Sequence, residues 1–266
     1  MSSVQNGLLL INQEISTRLQ MKTKLSVNIN KIALLRNARG MQTPNVLQFA
    51  KDCMRYGADG ITVHPRPDER HITRKDVQEL AAHFPVPECE YNIEGYPSDD
   101  FVQMVIKSHP SQVTLVPDLP GQLTSDHGWD VLANFNLLKD VLLEFRREGI
   151  RTSLFIDPIP KQLELAKKVG ADRIELYTGP YAHDYSHAST KIERESIVKG
   201  FKSVLPLLND LEIGINAGHD LNLENLAFLK ANIPNLLEVS IGQALVRDCL
   251  YFGLENTINM YKRLLE

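Results

Sequence analysis

Eight short apolar runs, rich in strand-forming residues, recur along the 266-residue chain. They cover residues 25–30, 60–64, 90–94, 112–118, 152–157, 173–178, 212–216 and 237–241. Most read as near-continuous buried strands, as parallel strands covered on both faces do. Helical periodicity fills the stretches between them. Thr43 is placed to cap a helix with Pro44 at its first position, Val46, Phe49, Ala50 and Cys53 on one face, and Gly57 as its stop. Thr73 and Asp76 have the spacing of a capping box. Pro160 opens a helix that Gly170 closes, Asn222 can cap another, and residues 191–208 carry one long apolar face. Residues 179–190 read as a polar loop, a candidate lid holding His183 and His187. Strand followed by helix, eight times, predicts a single-domain α/β protein, a (β/α)8 TIM barrel over residues 23–266. Residues 1–22 precede it as an N-terminal extension, a clamp on the barrel or a start displaced by Met21.

Composition narrows the class. A formal net charge of -4 and 23% charged residues give no basic surface of the kind that binds nucleic acid or membranes, so any anion site must be a local cluster. No apolar run approaches the roughly 18 residues of a membrane span. Cys53, Cys89 and Cys249 are far apart and form no pair, which argues against a disulfide framework or a zinc–thiolate site and for a reducing, cytoplasmic setting. Neither H-E-x-x-H nor a carboxylate cluster calls for a metal, and no dinucleotide fingerprint or P-loop calls for a nucleotide. No cofactor is expected.

Chemistry in such barrels sits at the C-terminal ends of the strands. The polar residues at or just past the end of each run are Asn28 and Asn30, His64 and Arg66, Glu94, Asp118, Asp157, Glu175 and Thr178, Asn216 and His219, and, after the eighth run, Gly242 with its free backbone amide. His64 ends a buried strand and suits proton transfer near neutral pH. Arg66, Arg70 and His71 come next in a proline-stiffened loop dense enough in donors to hold a phosphate, with Arg70 read as solvated charge. A carboxylate on the barrel rim should titrate high and act as a base, which fits Glu94 and Glu175, with Glu90 an alternative to Glu94. Gly218 and Gly242 fall where backbone amides commonly build a phosphate site. Arg36 or Arg39 is placed to clamp a second anion, while His83, His109 and His127 read as surface or packing residues.

These motifs carry a family resemblance. Residues 27–33 with 35–40, 57–64 with 70–73, 153–157, 174–179, Asn216-Ala-Gly-His219 and Ser240-Ile-Gly242 resemble, in order, the pyridoxine 5'-phosphate synthase family. The resemblance implies condensation of 1-deoxy-D-xylulose 5-phosphate with 3-amino-2-oxopropyl phosphate to pyridoxine 5'-phosphate, phosphate and water, in vitamin B6 biosynthesis. It implies no metal or organic cofactor and a homo-octamer of barrels. It makes His64 and Glu94 proton acceptors, His219 a proton donor and Glu175 a transition-state stabiliser. Asn28 is then the contact for the aminoketone phosphate. Asn30 and Lys31, with Arg39, Arg66, His71 and Thr124, are the pentulose phosphate contacts. Asp220, Gly242 and Gln243 stand at the second phosphate site. The chain departs from the family at Asn30-Lys31, where Asp-His is common, at Asp220, where glycine is frequent, and at Gln243, where histidine is usual. Asp220 would repel phosphate if it turned inward, and Gln243 cannot carry charge. Two other readings stay open: another sugar-phosphate synthase or isomerase on the same fold, and a catalytically inert phosphate-binding barrel acting as sensor or scaffold.

Overall fold

A computed structural model describes residues 22–40, 42–86, 89–118, 121–122 and 124–266. The expected N-terminal extension therefore lies, but for its last residue, outside the described residues.

The chain alternates strand and helix from β1 (Lys24–Asn28) onward. Helices α1 (Asn30–Asn37) and α2 (Val46–Arg55) lead to β2 (Gly60–Val63), and α3 (Arg74–His83) to β3 (Glu90–Gly95). Then come α4 (Asp99–Ser108), β4 (Gln112–Leu115), α5 (Phe135–Arg147), β5 (Arg151–Ile156), α6 (Pro160–Val169) and β6 (Arg173–Tyr177). Three helices, α7 (Gly179–His187), α8 (Lys191–Ile197) and α9 (Lys199–Asp210), precede β7 (Gly214–Gly218). The fold finishes with α10 (Leu226–Asn232), β8 (Leu236–Ile241), α11 (Gln243–Phe252) and α12 (Leu254–Leu264). Every neighbouring pair of strands is parallel, and β8 closes onto β1. This is the predicted (β/α)8 barrel.

The strands are buried on both faces, but the two faces differ in chemistry. Leu25, Val27, Ile61, Val63, Ile93, Val113, Leu154, Ile174, Val239 and Ile241 join the apolar layer shared with the helices. The residues between them are polar and bond to one another inside the barrel. Ser26 pairs with Thr62, Asn92 donates to Thr62, and Thr114 donates to Asn92. Gln112 on β4 reaches Glu238 on β8 at 3.3 Å, and Asn216 on β7 donates back to Gln112. Those strands are not neighbours, so the bonds cross the lumen. The near-continuous apolar reading thus holds for burial and not for polarity: most of these interior polar groups bond to each other, which keeps the cost of burying them low, while the buried Ser153 hydroxyl on β5 has no partner among the described residues.

Several boundaries differ from expectation, each for an identifiable reason. Helix α2 is capped by Asn45, whose side chain accepts from Gln48 N at 2.7 Å, because Asn45 rather than Thr43 lies the needed three residues back. The expected polar loop at 179–190 is largely helix α7, because Tyr181 and Ala182 are buried and the Tyr181 hydroxyl donates to Asn225 O at 2.6 Å. The single apolar face over 191–208 belongs to two helices meeting at Val198. Asn222 accepts from the amides of Glu224 and Asn225 in a turn, and Asn225 takes the cap position of α10. Strand β7 starts two residues late because Glu212 turns the chain at φ +50°. The Thr73–Asp76 capping box and the Pro160-to-Gly170 helix form as expected.

Candidate active site

The strand ends bring their polar residues to one rim. At its centre is Glu94, buried near the end of β3. Its Oε2 lies 4.0 Å from His64 Nδ1 and accepts from Asn28 Nδ2 at 3.4 Å, while Ser240 Oγ donates to Oε1 at 3.5 Å. Residues from β1, β8 and the end of β2 thus converge on one carboxyl group of β3. Burial, reinforced by Asp118 and Glu238, pushes that carboxyl up to about 8. Glu175 on β6 is also buried, and burial together with Glu94 and Glu238 holds its carboxyl well above the usual range. A group that titrates near the working pH is suited to take and return protons.

Glu175 explains Gly218. A Cβ at position 218 would stand 2.0 Å from Glu175 Oε1, so only a glycine leaves room for that side chain. At Gly242 the fit is tight rather than excluded: an added Cβ would lie 3.1 Å from both the Cβ and the carbonyl oxygen of Asn28.

Glu90 is the other end of the β3 pattern, and the structure removes it from the site. It is bonded to Lys24 at 2.7 Å and to Arg151. Burial opposes its ionisation, yet these two cations hold its carboxyl down at about 2. Glu90 is a structural anion two turns of the pleat away from Glu94.

The β2 loop supplies the positive charge. Arg66 is buried, with Nη2 2.5 Å from Asp118 Oδ2 and Nη1 donating to Gln122 O at 2.9 Å. Asp118 Oδ2 also accepts from Ser125 Oγ at 2.8 Å, so Asp118 ties the loops after β2 and β4 together. His64 is held well below its ordinary range by burial and by Arg66, His71 and Arg70. His71 is pushed down to about 4 by burial and by Arg66, Arg70 and Lys31. Burial is the main reason that both imidazoles resist protonation, and the cations that add to it, Arg66 above all, make this loop a place suited to an anion. Arg70 is only a quarter exposed, pairs with Asp68 at 2.9 Å, and lines a cavity of about 250 Å3 with His64, Arg66 and Tyr96. It belongs to the site wall, which corrects its reading as solvated charge.

The remaining candidates divide. Asn30 Oδ1 accepts from His64 N at 2.9 Å and so fixes the end of β2. Arg36 is occupied: it forms an ion pair with Asp76 and donates to His71 O at 3.2 Å, anchoring the β2 loop. Arg39 is exposed at the end of α1, and of the two arginines it is the one left to meet an anion. Thr124 Oγ1 lies 2.9 Å from His219 Nε2. Asp220 does not turn into the anion site; its Oδ2 lies 2.9 Å from His219 Nδ1. Gln243 is exposed at the first turn of α11, beside half-buried Gly242. His83, His109, His127, His183 and His187 are exposed and outside this cluster. Among the described residues no group of three or more His, Cys, Asp or Glu is arranged to hold a metal ion, and no helix is long and apolar enough to cross a membrane.

Ser240, Glu238 and Tyr177 were not singled out from sequence as parts of the site. Counting back in twos from Gly242 along β8 finds Ser240 and Glu238 on the site face. Tyr177, whose ring meets His219 edge-on at 5.3 Å, gives no such signal.

A TIM barrel whose rim gathers buried, high-titrating carboxyls beside a cationic loop is the fold and site of an acid–base enzyme. Comparison with known proteins makes the class specific. Residues 25–266 match the family described as pyridoxal phosphate biosynthesis protein PdxJ, and the chain belongs to that family. A Flavobacterium johnsoniae protein named pyridoxine 5'-phosphate synthase is 52% identical over 244 residues, 92% of this chain and 100% of that protein. One of the same name from Bacteroides thetaiotaomicron is 55% identical over 243 residues, 91% of this chain and 99% of the other. In three dimensions the chain resembles 3-hexulose-6-phosphate synthase from Salmonella typhimurium, with a TM-score of 0.59 at 13% identity, covering 91% of this chain and 98% of that one. It also resembles phosphoribosyl anthranilate isomerase from Thermotoga maritima, with a TM-score of 0.56 at 14% identity and the same coverage. At such identities the likeness speaks for the barrel alone.

Proposed function

We propose that this chain is a pyridoxine 5'-phosphate synthase, condensing 1-deoxy-D-xylulose 5-phosphate with 3-amino-2-oxopropyl phosphate to pyridoxine 5'-phosphate, inorganic phosphate and water. The observation that carries the reading is the meeting of Glu94 and His64 beside the cations of the β2 loop. Imine formation, dehydration and ring closure all need protons moved repeatedly at one place, next to a bound phosphate.

In this reading Glu94 and His64 take protons from the condensing carbons, and His219 returns one to a departing oxygen. Glu175, kept neutral by its burial, stabilises the transition state by donating a hydrogen bond. Arg66 and His71 hold the pentulose phosphate, with Lys31, Arg39 and Thr124 closing around it and Asn30 placing His64. Asn28, joined to Glu94, meets the aminoketone phosphate. Gly242 and Gln243 present backbone amides at the start of α11, where the helix end favours an anion and an uncharged Gln243 suffices. The protonic chemistry needs no cofactor. The reading also carries a homo-octamer in the cytoplasm; exposed Leu250, Tyr251 and Phe252 at the end of α11 offer one face for assembly.

Steady-state kinetics on single substitutions test these roles. Glu94→Gln and His219→Asn should lose turnover by about 100-fold or more, with KM for both phosphates little changed. Arg66→Ala should raise KM for the pentulose phosphate. Wild-type turnover in Glu94→Gln would refute the assignment of Glu94.

A further inference from the structure

Asp220 stands out because of what its position costs. His219 and Asp220 are consecutive non-glycine residues with φ of +87° and +58°, in the left-handed region that side chains avoid. The surroundings hold them there. Thr178 Oγ1 donates to the carbonyls of Gly218 at 2.6 Å and His219 at 2.5 Å, and Asn225 Nδ2 donates to Asp220 O at 3.2 Å. The product of this turn is one contact, Asp220 Oδ2 at 2.9 Å from His219 Nδ1. On the far side of the ring, Thr124 Oγ1 lies 2.9 Å from Nε2. Resting on the synthase reading of His219 as proton donor, we propose that Asp220 is a positioning residue that fixes the proton on His219 Nδ1 and so aims Nε2, through Thr124, at the reacting centre.

The chemistry is set by the partners. The bond from His219 holds the Asp220 carboxyl below its usual range, so it is a carboxylate that can only accept. Nδ1 must then carry hydrogen. In the neutral ring Nε2 is a lone pair that accepts from the Thr124 hydroxyl. In the cation Nε2–H donates, and the carboxylate balances the charge behind it. A proton leaving Nε2 therefore leaves the ring in the tautomer ready to be recharged. The other groups around the ring do not do this. Tyr177 meets it edge-on and has no acceptor at Nδ1, Glu175 lies beneath Gly218 with its carboxyl neutral, and Asp126 and Asp157 act on Tyr177.

The test combines the 15N spectrum of labelled histidine with kinetics on Asp220→Gly, Asp220→Asn and Asp220→Glu. Glycine accepts the left-handed turn, so Asp220→Gly should melt no lower than wild type. In the wild type the neutral His219 ring should be protonated at Nδ1; in Asp220→Gly the tautomers should mix. Turnover should fall on the order of tenfold or more in Asp220→Gly, with KM for both phosphates nearly constant. Asp220→Glu should recover part of it. Asp220→Asn should not, because its amide can donate to Nδ1 and favour the opposite tautomer. Equal tautomer populations in wild type and Asp220→Gly overturn the inference, whether or not the protein makes product. Wild-type turnover in all three variants, with an active wild type, overturns it as well. An inactive wild type whose tautomer still depends on Asp220 would instead sink the synthase reading and leave the dyad standing.

Discussion

Glu94→Gln should stabilise the protein while abolishing its chemistry, and the gain should depend on pH. The Glu94 carboxyl titrates at about 8 in the fold against an ordinary 4.5. The folded state therefore holds its proton more tightly than the unfolded chain does. Its contribution is fully present below pH 4.5 and is lost as pH rises toward 8, because the unfolded chain ionises freely while the buried group cannot. At 1.36 kcal/mol per pH unit, the loss at pH 7 is about 3 kcal/mol. Glutamine keeps the size, accepts from Asn28 or Ser240 as the neutral acid does, and never ionises. The variant and the wild type should then denature alike near pH 4.5 and separate progressively to pH 8. At pH 7 the variant should melt roughly 6 °C higher. Thermal melts at pH 5, 6, 7 and 8 provide the assay. A difference that stays the same at every pH would mean that Glu94 ionises normally in the fold, and the argument for it as a tuned base would fall.

Sulfate, dianionic throughout the range, should bind more tightly as pH falls from 7 to 5 and take up protons as it binds. Burial and nearby cations hold His71 at about 4 and His64 low, and the dianion offsets the cations' share; calorimetry in buffers of different ionisation heat reads the uptake. Glu90→Gln should leave turnover unchanged but cost on the order of 2 kcal/mol at neutral pH, because it strips the anion from Lys24 and Arg151. That cost should vanish as pH falls below about 4.5 toward 2, where wild-type Glu90 protonates too. Gly218→Ala should fold but lose most activity, since its methyl takes the place of the Glu175 carboxyl; full activity would show that Glu175 is free to move. Light scattering should find eight chains of 30.0 kDa, about 240 kDa, in solution, and a monomer at assay concentration would remove the octamer from the account.

The barrel was legible because its signals are local and repeated. Eight apolar runs, each followed by a helix with a stop such as Gly57 or Gly170, leave few other closures. The small boundary shifts are local, as at Asn45 and Glu212, but the largest misreading depends on tertiary contacts. Residues 179–190 read as a polar loop until Tyr181 finds Asn225 and Phe201. The site was legible to the extent that strand ends predict it. His64, Glu94, Glu175 and His219 came to one rim because each lies at or near the end of a strand. What could not be read was pairing across the barrel. Nothing local says that Arg66 meets Asp118, 52 residues away, or that Ser240 reaches Glu94 across 146. Glu90 and Glu94 are equivalent by spacing and differ only in what the strands beside them supply: Lys24 and Arg151 at one end, Asn28, His64 and Ser240 at the other. Asp220 looked like a threat to phosphate binding because its carboxylate was placed without its partner.

The central claim is that this site joins two phosphorylated substrates into a pyridine ring. Purified protein should be incubated with 1-deoxy-D-xylulose 5-phosphate and 3-amino-2-oxopropyl phosphate, with the product followed by absorbance and mass and released phosphate counted alongside. The account predicts pyridoxine 5'-phosphate with one inorganic phosphate per molecule formed, and none when either substrate is omitted. Binding of both substrates without product, or phosphate release without the ring, would contradict it and favour the inert barrel.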